Sequence, residues 1–303
     1  MRLWDLATGQ HVRTFEGHKF PVNCVSISPD GQWALSGGLD RSLRLWELGT
    51  GRCVRTFEGH EDPLLSAVLS VAISPDGRWG LSAKKSKETL RLWDLATGQC
   101  VRTFKGHTEF GTSVNISSDG LWALSGSADK TLRLWELATG KCVRTFEGHT
   151  SSVTSVCLSP DGRWALSGSG DNTVRLWELA TGRCVRTFEG HTSSVNSISL
   201  SPDGRWLMSG SGDNTLRLWE LDWECEFPAP ADWDEGVWPY LKIFLTLHCL
   251  CGDDGISRVG TPRWNDEDFA QLLADLQYRG YGWLRPEGVR GKLEQMMRKW
   301  KGI

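Results

Sequence analysis

Residues 149–188 read HTSSVTSVCLSPDGRWALSGSGDNTVRLWELATGRCVRTF, and they contain four short extended segments with turn chemistry between them. Val153–Leu158 alternates polar and apolar residues, and Ser159-Pro160-Asp161-Gly162 supplies a turn. Trp164–Ser167 follows, then the turn Gly168–Asn172, the segment Thr173–Leu179, the turn Ala180-Thr181-Gly182 and finally Cys184–Phe188. Proline presets φ for a tight turn, and glycine, with no Cβ, takes the positive φ that hairpins need. The stretch therefore predicts a four-stranded antiparallel sheet built from consecutive hairpins.

The same phrase recurs along the chain. Tryptophan followed by an acid stands at Trp4, Trp46, Trp93, Trp135, Trp177 and Trp219, with spacings of 42, 47, 42, 42 and 42. Gly-His pairs end at His18, His60, His107, His149 and His191, spaced 42, 47, 42 and 42. Two independent marks share one period and one five-residue insertion in the second unit, which chance does not produce. Copying of one phrase also accounts for 17 Trp beside only 3 Tyr and 4 Met. A four-stranded sheet every 42 residues is the pattern of a β-propeller blade.

Gly-His, Ser-Pro-Asp-Gly, Ser-Gly-Ser-x-Asp and Leu-Trp-Asp/Glu, in that order, resemble the WD-repeat β-propeller family over about residues 1–222. The resemblance implies an all-β propeller of four-stranded antiparallel blades, five repeats plus a partial one. It also implies a hydrogen-bonded tetrad of His, Ser, Asp and Trp that braces each blade. Unit one supplies His18, Ser36, Asp40 and Trp46, and unit three His107, Ser125, Asp129 and Trp135. Unit four supplies His149, Ser167, Asp171 and Trp177, and unit five His191, Ser209, Asp213 and Trp219. Unit two departs from the pattern: His60, Ser82 and Trp93 are present, but Ser86 or Lys87 stands where Asp belongs.

A Ser-His-Asp trio invites comparison with a hydrolase triad, yet here it recurs blade after blade, as bracing does and an active site does not. No Gly-x-Ser-x-Gly elbow and no phosphate-cradling Gly-x4-Gly-Lys-Ser/Thr loop occurs. The expectation is a non-catalytic chain without cofactor. Cys249-Leu250-Cys251 beside His248 lacks a second Cys/His pair at finger spacing, so no metal is expected. Cys53, Cys100, Cys142 and Cys184 share one repeat position, with His11 in the first copy, too far apart from blade to blade for disulfides. Nine free thiols point to a reducing cytoplasm. Charges nearly cancel, 34 basic against 37 acidic, and the apolar run Ile243–Leu247 is too short to cross a bilayer. Neither nucleic acid nor membrane is an expected partner.

Met1 opens in the middle of a blade, with Leu3–Leu6 as a third strand and Val12–Phe15 as a fourth. Unit five has three strands and stops at Asp222. Val12–Phe15 can serve as the fourth strand of that last blade beside Thr215–Leu221, which gives five blades and leaves Arg2–Leu6 surplus; the expectation is a ring or nearly closed ring of five or six sheets. Because family members more often have seven blades, the alternative is that the chain is a piece of a longer protein, truncated at its N-terminus. Residues 223–303 form a separate, mainly helical domain whose early part is an acidic linker around Pro228-Ala229-Pro230-Ala231. Pro239–His248 reads as a helix, with a strand as alternative. A second helix starts at Asn265 with Asp268 three residues on, carries Phe269, Leu272, Leu273 and Leu276 on one face, and stops at Gly280. A third starts near Pro286 with Val289, Leu293, Met296 and Trp300 aligned. The basic end (Arg290, Lys292, Arg298, Lys299) raises a helix-turn-helix reading, against which stands simple complementarity to the helix C-terminus. This tail resembles C-terminal extensions of some bacterial WD-repeat proteins.

Two functions follow from different classes. The first is a protein–protein interaction scaffold whose loops on one propeller face hold the partner. After Gly-His, units four and five read Thr-Ser-Ser, whereas unit one has Lys19-Phe20-Pro21, unit three Thr108-Glu109-Phe110 and unit two Glu61-Asp62-Pro63-Leu64-Leu65. With Leu39 before the turn Asp and Lys84 and Lys85 in unit two, the candidate partner-binding residues are Phe20, Leu39, Leu64, Leu65, Lys84, Lys85, Glu109 and Phe110. The second is the sensor end of a bacterial signalling enzyme, a protein kinase or nucleotide-binding switch ATPase, whose catalytic part lies outside this sequence.

Overall fold

The computed structural model describes residues 1–57, 67–85, 90–221, 237–251, 258–276 and 284–300. A two-stranded sheet opens it, β1 (Arg2–Trp4) and β2 (His11–Thr14). Four sheets of four strands follow. They are β3 (Val22–Ile27), β4 (Trp33–Gly38), β5 (Leu43–Glu47) and β6 (Cys53–Phe57); then β7 (Val68–Ile73), β8 (Trp79–Lys84), β9 (Leu90–Asp94) and β10 (Cys100–Phe104). The next are β11 (Gly111–Ile116), β12 (Trp122–Ser127), β13 (Leu132–Glu136) and β14 (Cys142–Phe146); then β15 (Val153–Leu158), β16 (Trp164–Ser169), β17 (Val174–Glu178) and β18 (Cys184–Phe188). The last sheet has three strands, β19 (Val195–Leu200), β20 (Trp206–Ser211) and β21 (Leu216–Glu220). Every ladder among them is antiparallel between chain neighbours, as the hairpin chemistry requires.

Successive sheets join through three layers. In the middle, Leu35, Leu43, Leu45 and Phe57 of one sheet pack on Val68, Val71, Ile73 and Trp93 of the next, and the pattern repeats down the row. Along the first strands, hydroxyls reach across: Ser70, Ser113 and Ser155 accept from the N–H groups of Val114, Val156 and Ile198, each at 3.1 Å. A bulge after the first residue of each first strand turns the second side chain toward the following sheet. Asn23 thereby donates to the Val68 carbonyl at 2.9 Å, and Thr112 to that of Val153. On the outer strand an arginine clamps the next sheet's last turn. Arg55 donates to Thr97 and Ala96 carbonyls at 3.0 and 2.7 Å, Arg144 to Thr181 and Ala180 at 2.9 and 2.7 Å.

The pairing of Val12–Phe15 with the last sheet is not what forms. β2 pairs with β1, not with β21, which keeps a free edge among the described residues. The connection from β1 to β2 is a short turn in which Asp5 accepts from the Ala7 and Thr8 N–H groups at 2.9 and 2.8 Å. A hairpin between chain neighbours needs only that local turn, whereas pairing β2 with β21 needs the whole row of sheets to bring the two strands together. Leu3 and Met1 also pack against Ala34, Trp46 and Phe15, so the surplus strand has a site of its own.

The tail contains α1 (Trp238–Leu247), the short pair β22 (Leu250–Cys251) and β23 (Arg258–Val259), α2 (Asp266–Leu276) and α3 (Pro286–Arg298). Asn265 accepts from the Glu267 and Asp268 N–H groups at 2.8 and 2.9 Å, and Asp268 accepts from Asn265 N–H in return, a reciprocal N-cap. Leu241, Leu245, Phe269, Leu272, Leu276, Val289 and Leu293 share one core. Helix α1 seats on the propeller through Tyr240, whose hydroxyl lies 3.0 Å from both the Pro160 carbonyl and Ser118 Oγ. Arg290 pairs with Asp266 at 2.8 Å and stacks over Phe269, so this cation turns toward α2. The expected stop at Gly280 lies outside the described residues.

Replacing Arg144 with Ala removes two hydrogen bonds from cation to carbonyl across one sheet boundary. Because that rim is wet, the expected loss is about 1 kcal/mol. Denaturant titration of Arg144→Ala against the parent measures it, and no change in midpoint would show the clamp to be decorative.

Candidate functional site

In units one, three, four and five the Gly-His segment entering the first strand and the turn between the second and third strands meet at the same end. Four residues join there. Trp46 Nε1–H donates to Ser36 Oγ at 2.8 Å, Ser36 Oγ lies 2.7 Å from His18 Nε2, and His18 Nδ1 lies 2.9 Å from Asp40 Oδ2. Units three, four and five repeat the chain. Trp135, Trp177 and Trp219 donate to Ser125, Ser167 and Ser209 at 2.8 Å, and the His Nδ1–Asp distances are 2.8, 2.7 and 2.8 Å. In unit two Trp93 donates to Ser82 at 2.9 Å, while His60 and the residues opposite it, Ser86 and Lys87, lie outside the described residues.

Donor counting sets the proton positions. Indole N–H only donates, so each Ser Oγ accepts there and sends its own proton to His Nε2. The other ring nitrogen then carries the hydrogen and donates it to the carboxylate. A neutral imidazole satisfies the whole chain, whereas a protonated one would donate to Ser Oγ as well and deprive the Ser hydroxyl proton of this acceptor. The serines are fully buried.

The carboxylates hold more than the histidine. Asp40 accepts from Lys19 N–H at 3.0 Å and from the Ser42 hydroxyl at 2.8 Å. Asp129, Asp171 and Asp213 accept likewise from Thr131, Thr173 and Thr215 at 2.6, 2.7 and 2.7 Å. This fifth member was missed in the sequence, although Asp-x-Ser/Thr recurs four times as its signal. Burial works to raise the Asp171 carboxyl, but bonds from Thr173, His149 and Thr150 N–H outweigh it and leave it at about 2. Asp129 is held well below the ordinary carboxylate range in the same way, against its burial, chiefly by His107 and Thr131. Burial holds the His149 imidazole below its ordinary value, and Asp171 opposes that only in part.

The loops at this end differ between units. In unit four a Cβ added at Gly170 would fall 2.8 Å from Ser151 Oγ, and in unit five one at Gly212 would fall 3.0 Å from Ser193 Oγ. Those loops are close-packed and small. Unit one has Leu39 at that place, its N–H donating to the Pro21 carbonyl at 2.9 Å, and both Leu39 and Phe20 are exposed. In unit three Ala128 N–H donates to the Phe110 carbonyl at 3.0 Å, Phe110 is half-buried, and Glu109 is exposed. The Lys85 ammonium stands 5.6 Å from the centre of the Phe110 ring, joining units two and three. Lys84 is a correction: at the end of β8 it is only 4% exposed, in the place of Gly38, Ser127 and Ser169, and it leaves the candidate surface. Leu64 and Leu65 lie outside the described residues.

Among its described residues the tail offers no comparable constellation. Cys249 donates to the Leu245 carbonyl at 3.3 Å, and His248 Nδ1 lies 2.8 Å from that of Phe244. Among the described residues no three His, Cys, Asp or Glu side chains gather as a metal would require, and no helix is long and apolar enough to cross a membrane.

Asp171→Ala leaves His149 Nδ1–H, the Thr150 N–H and the Thr173 hydroxyl without their acceptor. The expected cost is about 1–3 kcal/mol, against near zero for exposed Glu189→Ala, both read by denaturant titration. Acid should act in two windows. Asp171 falls from its ordinary 3.8 to about 2 on folding, so its contribution is complete above 3.8 and is lost as pH drops toward 2. His149 resists the proton that the unfolded chain takes up near 6.5, so destabilisation begins below that pH. Melting temperatures across pH should therefore fall in both windows, and Asp171→Asn should flatten the lower one.

Comparison with known proteins agrees with this architecture. The family described as WD domain, G-beta repeat matches residues 9–47, 51–94, 98–136, 140–178 and 182–220. A 41-residue stretch is 49% identical to nuclear distribution protein PAC1 of Coccidioides posadasii (strain C735), covering 14% of this chain and 9% of that protein. The chain thus spans a small part of that relative's length. With repeat matches across most of its length and the His–Ser–Trp–Asp chain in sheet after sheet, the chain belongs to the WD-repeat family.

Proposed function

We propose that this chain is a non-catalytic interaction scaffold that holds a protein partner at the His–Asp end of its first three repeats. WD repeats in general mediate protein–protein contacts, and a rigid ladder of sheets with variable loops suits that role. The single observation that carries the choice of face is the exposure of Phe20 and Leu39 where the later units place small, close-packed Ser and Gly. An aromatic ring on a wet loop gains little in the free protein. In a complex it buries apolar area amounting to roughly 1.5–3 kcal/mol. Lys85, over the Phe110 ring, and Glu109, next to Phe110 in sequence, are exposed with opposite charges, which favours a partner recognised partly by electrostatics. The opposite end of the sheets is occupied by α1, through Tyr240 on Pro160 and Ser118.

The absence of chemistry in this reading rests on the buried tetrad serines, each committed to Trp and His. A reducing, cytoplasmic setting suits the free thiols. Burial pushes Cys24 and Cys157 up to about 12, so they serve as small apolar groups in the sheets.

A pull-down from lysate tests the face. A Phe20→Ser, Leu39→Ser double variant should lose most of the capture seen with the parent, while Leu250→Ser on the exposed tail keeps it. Equal capture by the Phe20/Leu39 variant, with loss in the Leu250 variant, would move the binding site to the helical tail.

A further inference from the structure

A second set of tryptophans lies outside the bracing tetrad. Trp33, Trp79, Trp122, Trp164 and Trp206 open the second strands of the five sheets. Each pairs directly with the acid that ends the third strand: Glu47, Asp94, Glu136, Glu178 and Glu220. Residues directly opposite in an antiparallel pair point to the same face, so an indole and a carboxylate stand side by side in every sheet. Between neighbouring sheets these pairs border troughs. One of about 340 Å³ lies among Trp79, Val101, Arg102, Leu121, Trp122 and Glu136. The other, of about 450 Å³, lies among Trp122, Val143, Arg144, Arg163, Trp164 and Glu178. They are one trough repeated a sheet further on, with a single substitution: Leu121 lines the first where Arg163 lines the second.

The molecule itself shows what fits beside the indole and the acid. In unit two the Arg78 guanidinium stands 4.5 Å from the centre of the Trp79 ring, with its Nε 4.0 Å from Asp94 Oδ2. In unit four the Arg163 guanidinium stands 5.9 Å from the centre of the Trp164 ring. Unit three keeps Trp122 and Glu136, whose Oε2 accepts the Thr139 hydroxyl at 2.5 Å, but carries Leu121 where the other two carry arginine. The clamp arginines do not substitute for it. Arg102 is committed to the Leu137 and Ala138 carbonyls, and Arg144 is committed in the same way within the trough that also holds Arg163. We propose that the Trp122–Glu136 trough seats an arginine side chain from a basic segment of a partner protein, in the place that Arg78 and Arg163 fill in their own units. Arginine suits the pair better than lysine, because its planar fork can stack on an indole while donating in its own plane to a carboxylate. Val101 and Leu121, 47% and 52% exposed, leave the trough open and offer apolar surface to the arginine's aliphatic stem. The trough lies at the opposite end of the strands from Phe20 and Leu39, and the proposal does not depend on what those residues hold.

Fluorine NMR of the chain labelled with fluorotryptophan tests this, with the two signals assigned from Trp122→Phe and Trp164→Phe. A Gly-Arg-Gly peptide capped at both ends, titrated through the millimolar range, should shift the Trp122 signal saturably. Its citrulline counterpart, alike in shape but uncharged, should not. Glu136→Gln should weaken the binding about tenfold, the value of a hydrogen bond to a charged group. Leu121→Arg supplies the missing cation from within and should abolish the response, while Arg163→Leu should give Trp164 the response that Trp122 shows in the parent. Leu121 and Arg163 are both exposed, so unchanged melting temperatures show these variants to be folded. A Trp122 signal that ignores the arginine peptide overturns the proposal. So does an equal response to citrulline, or one that survives Leu121→Arg. Free arginine acting at lower concentration than the capped peptide would make the occupant a small molecule and overturn its assignment to a protein segment.

Discussion

A thin antiparallel sheet with apolar residues on both faces cannot be stable alone, and that constraint governs this molecule. Every sheet has to bury two faces, one on its predecessor and one on its follower. The internal sheets do so through Leu, Val and Trp in the middle, Ser and Thr hydroxyls along the first strands, and Arg clamps at the rim. Since the units carry nearly the same sequence, the contact is nearly the same each time. The same constraint shows at the first and last sheets, where among the described residues Val25, Ile27, Leu216 and Leu218 hold core positions yet are exposed.

Within a sheet, the Trp–Ser–His–Asp chain does what apolar packing cannot. Packing is tolerant of small slips, whereas a run of buried donors and acceptors is satisfied in one register only. Each link joins elements far apart in sequence. The indole on the third strand meets the serine on the second, and the histidine before the first strand meets the aspartate in the turn. The hydroxyl two residues beyond the aspartate completes the acceptor's shell. This bracing leaves the loops beyond it free to differ, so Phe20 and Leu39 can occupy unit one where Ser and Gly occupy units four and five. Rigidity below and variety above are consequences of one network.

Much of this was legible from residues in order. Hairpins depend on neighbours a few positions apart, so Pro-Asp-Gly and Thr-Gly turns located the strands of units one to five, and the Asn265/Asp268 cap located α2. The candidate face was legible in part. Comparing units pointed to Phe20 and Leu39, which are exposed, but included Lys84, which is not. Lys84 stands in a strand position that its sister units fill with Gly or Ser, and no local pattern tells whether a long side chain there turns outward or lies along the sheet.

The amino-acid sequence by itself determined the repeat, the fold class and the strand order within each sheet, because these follow from spacing and turn chemistry repeated in one chain; its resemblance to the WD-repeat family added the four bracing residues of units one, three, four and five. Only the tertiary structure decided three further matters. It paired β2 with β1 instead of β21, a choice between a local partner and a distant one that strand pattern cannot judge. It seated α1 on Pro160 and Ser118, about eighty and 122 residues away in the chain. And it left Val25, Ile27, Leu216 and Leu218 in solvent although their sequence positions are core positions elsewhere. The reason is common to all three: burial belongs to whatever surface arrives opposite a residue, and that surface is supplied by parts of the chain to which the residue's neighbours in sequence carry no reference.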